Sequence, residues 1–315
     1  MSGIHHVTAI SGKATRNFDF YTHVLGLRFV KKTVNFDDPG TYHLYYGDRA
    51  GHPGTILTFF PWEHAADGRG GVGQALQTRF RIPENAIGYW THRFVEKGVT
   101  HTAPERRFGE PVLPFTDPDG MSLALVGVSA AESEAAWGGA GISVEHAIRG
   151  FHGVTLMVED GARTAAVLRE VLGFRSAGED GSSLTRFAAT EAVGGLVDIR
   201  AAKGFLPGRQ GRGSVHHIAF RAPDDATQAA MAQKLVNQLG LHPTRQLDRK
   251  YFRSVYFREP GGILFEIATD VPGFAVDESI ETLGHALKLP PFLEGRRKEI
   301  KDVLPDLNTA ENSVA

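Results

Sequence analysis

Ser214-Val215-His216-His217-Ile218-Ala219 and Gly3-Ile4-His5-His6-Val7-Thr8 are two short strand-like stretches with a double histidine at the same point, and each opens a longer segment of one design. After residue 8 comes a helical stretch, Thr15 to Leu25, that stops at Gly26-Leu27 and gives way to RFVKKTVNF, TYHLYYGD and GTILTFF. After residue 219 comes a helical stretch, Asp225 to Leu239, that stops at Gly240-Leu241 and gives way to RSVYFRE and GILFEIAT. Two further segments lie between. One runs GFHGVTLMV, a helix from Ala162 to Leu172 ending at Gly173-Phe174, then SLTRFAA and GLVDIRA. The other is more degraded: ALQTRFRIP, a helix ending near Lys97-Gly98-Val99, then PVLPFTDPDG and MSLALVG. A glycine just past a helix takes the left-handed conformation that caps the last carbonyls, and the apolar residue after it starts the next strand.

The same order of signals therefore recurs four times, from starts near residues 3, 74, 150 and 214. Internal recurrence of this kind is the signature of repeated supersecondary units. The expected fold is α+β: four βαβββ modules forming two half-open barrels. Glycine-rich joints at 68–73, 138–141 and 208–213 separate the units. The organisation read from them is an N-terminal pair of modules over 1–140, a C-terminal pair over 141–275, and a tail over 276–315 packed on the outside.

Composition narrows the function. The chain has 315 residues, 42% hydrophobic and 22% charged, with a net charge of −2. Nothing in that balance calls for a nucleic-acid or acidic-membrane partner. There is no cysteine, which excludes disulfides, Cys-ligated zinc, iron–sulfur clusters and thiol nucleophiles together. No apolar run approaches a membrane span, and MSGIHHVTAI has neither the basic start nor the apolar run of a signal peptide. The cytoplasm is the expected setting. No glycine-rich dinucleotide loop sits in a βαβ context, so no organic cofactor is expected.

Adjacent residues of a strand point to opposite faces, so one histidine of each pair serves a given site. In VHHIAFRA, His216 shares a face with Ile218 and Phe220, which a helix would cover, and His217 shares one with Ala219 and Arg221. His6 shares a face with Thr8, and in ILFEIAT the apolar Ile263, Phe265 and Ile267 leave Glu266 on the polar side. Aligning unit starts sets Gly153 opposite His6 and His217. Aligning the final strands on their glycines sets Phe59, Ala124 and Ile199 opposite Glu266. Only units one and four carry ligand residues at these places, so one metal site requires unit one to lie against unit four. Two histidines and a carboxylate with open positions suit Fe(II) and dioxygen. His43, His64, His92, His101, His146 and His242 read as ordinary core or surface histidines.

GIHHVTAISG, FYTHVLGLRFVKKTVNFDDP, TYHLYYGD, PGTILTFFPW, EHAIRGFHGVTL, VHHIAF and DRKYFRSVYFREPGGILFEIATD are long and specific. Through them the chain resembles the vicinal oxygen chelate superfamily of glyoxalases and extradiol dioxygenases over residues 3 to 300. The nearest likeness is to its ring-cleaving branch that includes hydroquinone dioxygenases. The resemblance implies an Fe(II) enzyme, Mn(II) in some members, with His6, His217 and Glu266 as ligands and the first module paired with the last. It also implies roles near the metal for His5, His216 and Thr8, a substrate-facing Tyr256, and a basic substrate neighbour at Arg249. The expected reaction is O2-dependent cleavage of a hydroquinone or catechol ring. Three protein ligands leave room for a substrate oxygen and O2, His216 and Tyr256 are the candidates for moving a proton, and Tyr256 or Arg249 would orient the distal hydroxyl. The expected partners are a small aromatic substrate and O2, and exposed strand edges would allow a homo-oligomer. The rival readings are a glyoxalase-like lyase, which would want a fourth ligand where Phe59 stands, a thiol transferase, and a non-catalytic binding protein lacking the triad.

Overall fold

The computed structural model describes residues 2–181 and 184–307. Unit one comprises β1 (Ile4–Ser11), α1 (Ala14–Asp19), β2 (Arg28–Val34), β3 (Tyr42–Gly47) and β4 (Ile56–Pro61). Unit two comprises β5 (Gln74–Pro83), α2 (Ile87–Glu96), β6 (Glu105–Arg107), β7 (Glu110–Thr116) and β8 (Ser122–Val128). Unit three comprises β9 (Phe151–Val158), α3 (Gly161–Ala166), β10 (Arg175–Asp180), β11 (Leu184–Ala188) and β12 (Leu196–Ala201). Unit four comprises β13 (Ser214–Ala222), α4 (Asp225–Leu239), β14 (Leu247–Asp248), β15 (Arg253–Arg258) and β16 (Leu264–Thr269). Each is a βαβββ module. α1 and α3 each widen into a single π turn, Phe20–Val24 and Val167–Val171, before the chain reverses. Gly26, Gly98, Gly173 and Gly240 follow the four helical segments with φ of 70°, 64°, 74° and 63°, the left-handed stop that the sequence called for.

The modules pair by closing two curled eight-stranded sheets, the half-open barrels of the expected fold. One sheet runs β14-β15-β16-β13-β1-β4-β3-β2, the other β10-β11-β12-β9-β5-β8-β7-β6. In each, the first strands of two modules meet antiparallel, β1 with β13 and β5 with β9. Each first strand also pairs in parallel with the last strand of its own module, as β1 does with β4 and β13 with β16. Unit one thus lies against unit four and unit two against unit three, so each sheet draws strands from both 1–140 and 141–275.

Alternation along the strands then sorts side chains. Val7, Ala9, Leu57 and Phe59 go to the helix-covered side, where they join Phe18, Tyr21, Leu25 and Tyr46 in one buried cluster. Burying each large apolar side chain contributes roughly 1.5–3 kcal/mol, which fixes the face and therefore the register. The polar residues between them are left to the concave side.

The joints 66–73 and 206–213 run alongside each other, bridged at Asp67–Arg212, Arg69–Arg209 and Val72–Pro207. Their backbones touch so closely that a Cβ on Gly71 would sit 2.5 Å from the Leu206 carbonyl, and one on Gly211 2.2 Å from that of Ala66. That approach explains the glycine content of both joints. The tail turns back along the edge strand β2. Lys31, fully buried, is held by Asp277 at 2.6 Å and by Glu278 at 2.5 Å, and the Lys288 amide donates to the Lys32 carbonyl at 2.9 Å. Two short helices, α5 (Pro291–Glu294) and α6 (Arg297–Val303), follow, and the Tyr42 hydroxyl donates to the Pro305 carbonyl; residues 308–315 of the expected tail lie outside the described residues. Among the described residues no helix is long and apolar enough to cross a membrane.

Candidate metal centre

The strict alternation assumed for the double histidines fails, for a local reason. Across β1 and β13, Ile4 faces Phe220 and His6 faces Ala219, while Thr8 faces His217 and Ala9 faces Val215. His5 and His216 are each the extra residue of a β-bulge, which turns a side chain out of the regular pleat. Instead of pointing away, each imidazole lies against its neighbour: His5 Nδ1 is 3.0 Å from His6 Nδ1, and His216 Nδ1 is 2.8 Å from His217 Nδ1.

On the concave side three donor atoms converge. His6 Nε2 and His217 Nε2 are 3.4 Å apart, and Glu266 Oε2 is 3.3 Å from the first and 3.0 Å from the second. All three residues are buried, and among the described residues they form the one cluster of His, Asp or Glu with metal-ligand spacing. Glu266 Oε2 makes no hydrogen bond of acceptable geometry despite these distances. A buried carboxylate oxygen aimed with two ring nitrogens at one point, and left without a donor, fits a cation as its missing partner. The donor set of two neutral imidazoles and one carboxylate suits a divalent metal, which these residues would hold.

The surroundings prepare that set. Burial lowers the pKa of His217 despite its contact with Glu266, so the ring is neutral as a ligand must be. Burial alone would raise Glu266, but rings of His6 and His217 that bring a proton to it hold it well below the usual carboxylate range; a cation would take over that role once both rings present bare Nε2 atoms. With Nε2 of each ring turned to the common point, the network assigns the proton to Nδ1, donated to His5 and His216 respectively. Burial, followed by the neighbouring ligand ring, lowers both of these acceptors, His5 well below its usual value and His216 to about 3. Ser254 Oγ donates to Glu266 Oε1 at 2.5 Å, which turns the free oxygen toward the histidines.

Above the triad a pocket is lined by His6, His217, His43, Tyr45, Tyr256 and Arg249, with Asn35, Phe36, Asp37, Phe60 and Phe252 completing it. Thr8 lies under it and accepts from Thr58 Oγ1 at 2.8 Å. Tyr256 packs edge-on to His217, with ring centroids 5.7 Å apart. Arg249 lies over the Tyr256 ring at 5.5 Å and pairs with Asp37 at 3.0 Å, closing one side of the mouth. His5 sits behind the site against Phe252, and His216 is half-buried against Phe60. The sequence reading named the triad and, through the resemblance, Thr8, His5, His216, Tyr256 and Arg249, and the structure groups them at or beside the site. The sequence reading missed Ser254, Tyr45 and the place of His43 in the pocket wall; the signal that could have found them is the pair of matching runs His43-Leu44-Tyr45 and Ser254-Val255-Tyr256.

Strand register corrects two alignments. Ala219 of β13 pairs with Glu266, and its counterpart Thr8 of β1 pairs with Thr58, one residue before Phe59. Phe59 is in the core against Tyr21 and Tyr46. The position equivalent to Glu266 is therefore a threonine occupied by hydrogen bonds to Thr8 and His43, and the site has three protein donors. In unit three, Thr155 pairs with Asp198, so Asp198 and not Ile199 corresponds to Glu266. Gly54, Gly120, Gly194 and Gly262, all at positive φ, each stand four residues before these positions, so a consistent count from that glycine gives Thr58, Ala124, Asp198 and Glu266.

The second sheet shows what replaces a metal. Arg79, 1% exposed, fills the equivalent cavity beside Gly153, where its Nη2 would be 2.9 Å from an added Cβ. Its Nη1 meets Asp198 Oδ2 at 2.8 Å, and Nε donates to His152 Nδ1 at 3.3 Å. Arg186 donates to both Asp198 oxygens at 2.9 and 3.1 Å and to Glu110 at 2.7 Å, and Glu110 also takes His152 Nε2 at 3.0 Å. A fixed internal guanidinium neutralises the carboxylate that would otherwise need an ion.

The glyoxalase/bleomycin resistance protein/dioxygenase superfamily model matches residues 3–125 and 150–267. The chain is 44% identical over 303 residues to the Bacillus subtilis (strain 168) protein "Putative ring-cleaving dioxygenase MhqO", covering 96% of this chain and 95% of that one. It is 32% identical over 314 residues to the chlorohydroquinone/hydroquinone 1,2-dioxygenase of Sphingobium indicum, covering 97% of each. The crystal structure of a "putative dioxygenase" from Bacillus subtilis superposes with a TM-score of 0.92 at 44% identity, again over 97% of each chain. The repeated module, the pairing of its first and last copies around a two-histidine, one-carboxylate centre, and likeness over the full length agree: the chain belongs to the glyoxalase/bleomycin resistance protein/dioxygenase superfamily, in its branch of ring-cleaving dioxygenases.

Proposed function

We propose that the protein uses Fe(II), with Mn(II) as the alternative occupant, to cleave the ring of a para-hydroquinone with O2, catechols being the second choice of substrate. The observation that carries this reading is the open site: three donors at the floor of an aromatic-lined pocket, with Thr58 and no fourth ligand opposite Glu266. A divalent metal held there supplies the Lewis acidity that binds an ionised phenol and brings O2 into reaction with the ring. His6, His217 and Glu266 carry a net charge of −1, so a dication leaves one positive charge for a phenolate to neutralise. His5 and His216 hold the ligand rings through their Nδ1 atoms, and His216 is the better placed of the two for moving a proton, being half-buried. Tyr256, expected from the sequence to orient the distal hydroxyl, stands edge-on to the ligand ring of His217, and we assign it instead to the substrate oxygen nearest the metal. Burial and Glu266 push its hydroxyl above its ordinary pKa, so it acts as a neutral hydrogen-bonding group. Arg249, held by Asp37, fixes Tyr256 and adds positive charge at the mouth. Thr8 supports the floor. The reading includes a cytoplasmic setting, where reducing conditions favour Fe(II), and self-association through exposed edge strands such as β10.

The test is reconstitution with Fe(II) or Mn(II) under argon, followed by oxygen uptake on a panel of hydroquinones and catechols. Uptake with ring-opened product is expected, and its loss in His6→Ala, His217→Ala and Glu266→Gln together with bound metal. No uptake with any of them, alongside O2-independent turnover of a thiol adduct, would replace this reading with a glyoxalase-type one.

A further inference from the structure

The two halves of the metal-bearing sheet are related by the pairing of β1 with β13, and the relation extends to the pocket wall. Tyr256 of β15 pairs with Glu266, and Tyr45 of β3 pairs with Thr58, the counterpart of Glu266. Tyr45 is therefore the twin of Tyr256, and His43, two residues earlier, is the twin of Ser254. The twins are differently wired. Thr58 Oγ1 spends its hydrogen on Thr8, so it accepts from His43 Nε2–H at 2.8 Å. A neutral His43 protonated at Nε2 has a bare Nδ1, and the Tyr45 hydroxyl, 2.8 Å away, donates to it. Burial, followed by His217 and His6, lowers the His43 pKa well below its usual value, in keeping with a neutral ring. The His43 ring is further fixed between Tyr45 and Phe60, at 4.1 and 4.4 Å between centroids. With its hydrogen committed, the Tyr45 oxygen can only accept.

We propose that Tyr45 determines specificity in this pocket: its oxygen accepts a hydrogen bond from the substrate hydroxyl remote from the metal, so the site prefers a para-dihydroxy ring to one lacking that hydroxyl. The proposal rests on the hydroquinone reading above and assigns His43 as the positioning residue that orients Tyr45. Tyr256 lies against His217 and serves the near oxygen; Tyr45, on the opposite half of the sheet, serves the far one. A pocket group built to pair with a hydroxyl discriminates strongly against the analogue without it, because the buried oxygen is left unpaired.

Binding under argon separates this proposal from the reaction. Metal-loaded protein is titrated calorimetrically with hydroquinone and with phenol, for the wild type and for Tyr45→Phe, His43→Leu and Tyr256→Phe, with metal content and melting temperature measured on each. The wild type should prefer hydroquinone by roughly ten- to hundredfold, the scale of one buried hydrogen bond. Tyr45→Phe should bring the preference below about threefold at unchanged metal content, and His43→Leu should reduce it in the same direction, which also covers the case of one variant failing to fold. A preference that survives in Tyr45→Phe, that is lost only in Tyr256→Phe, or that is absent from the wild type overturns the proposal. A Tyr45-dependent preference in a protein that consumes no O2 with any diol upholds it and defeats the ring-cleavage reading instead.

Discussion

Ser254→Ala isolates the control of the metal ligand set by a residue that never touches the metal. Ser254 is fully buried, and its hydroxyl donates to Glu266 Oε1 at 2.5 Å, leaving Oε2 to face the two histidines. The alanine removes a charge-assisted hydrogen bond, worth about 1.5–3 kcal/mol, and strands a buried carboxylate oxygen. At 1.4 kcal/mol per decade this is roughly a ten- to hundredfold loss in metal affinity. The range agrees with the cost of removing outer partners of metal ligands in general, about 10–100-fold. The assay is competition for Co(II), an oxidation-resistant stand-in, between protein and a fluorescent chelator. The loss should appear in the dissociation constant, while oxygen uptake at saturating concentrations of the activating metal falls far less, because the three donors remain. An affinity within about threefold of wild type would refute the reasoning, since it would mean the carboxylate needs no orienting partner.

Thr58→Glu, at the position paired as Glu266 is, should add a fourth ligand, slow metal release into a chelator and abolish oxygen uptake, because a site reserved for substrate is filled. Arg79→Met should leave metal content unchanged but cost about 3–5 kcal/mol, the penalty for removing one partner of a buried ion pair, read from the shift in denaturant midpoint. His152 has its pKa lowered from 6.5 to about 4, chiefly by burial. The unfolded chain therefore takes up a proton near pH 6.5 before the folded one does, and stability is lost as pH falls through that window. The stability of wild type relative to His152→Gln should decline between pH 6.5 and 4 and be flat above, as urea titrations at several pH values would show; a flat difference throughout would place the imidazole outside the buried network.

Much of the architecture was legible because the signals are local and repeated. Each helix stop is a glycine that must take positive φ, and each strand carries its apolar residues on one face, so the four units and the triad His6, His217 and Glu266 followed from spacing and alternation. The bulges were not legible. Period-two reasoning sends His5 and His216 away from the site, whereas bulges turn them onto their neighbours' Nδ1 atoms, and neither bulged residue is the glycine that would have marked it in the sequence. Register, by contrast, is carried by a glycine four residues before both Thr58 and Glu266, and setting Phe59 there was a slip of one. His43 was set aside as an ordinary strand histidine. The role proposed for it rests on the hydroxyls of Thr58 and Tyr45, which only the folded sheet brings to its two nitrogens.

The closing of β1 on β13 has a consequence for how the chain is made. The two metal-facing imidazoles stand 211 residues apart, and β13 is the strand that unites them. During synthesis β1 to β4 emerge first, yet β1 keeps an unpaired edge until residue 222 has left the ribosome. At about 5–20 residues per second, the roughly 160 residues after β4 take on the order of ten to thirty seconds. The β5–β12 sheet can complete itself within that interval, since all its strands lie between residues 74 and 201. It offers a finished scaffold beside a waiting half-sheet, and the waiting edge is a liability for wrong pairing. The ligand set does not exist until the last module docks, so a nascent or truncated chain has no complete site at which to take up a metal ion.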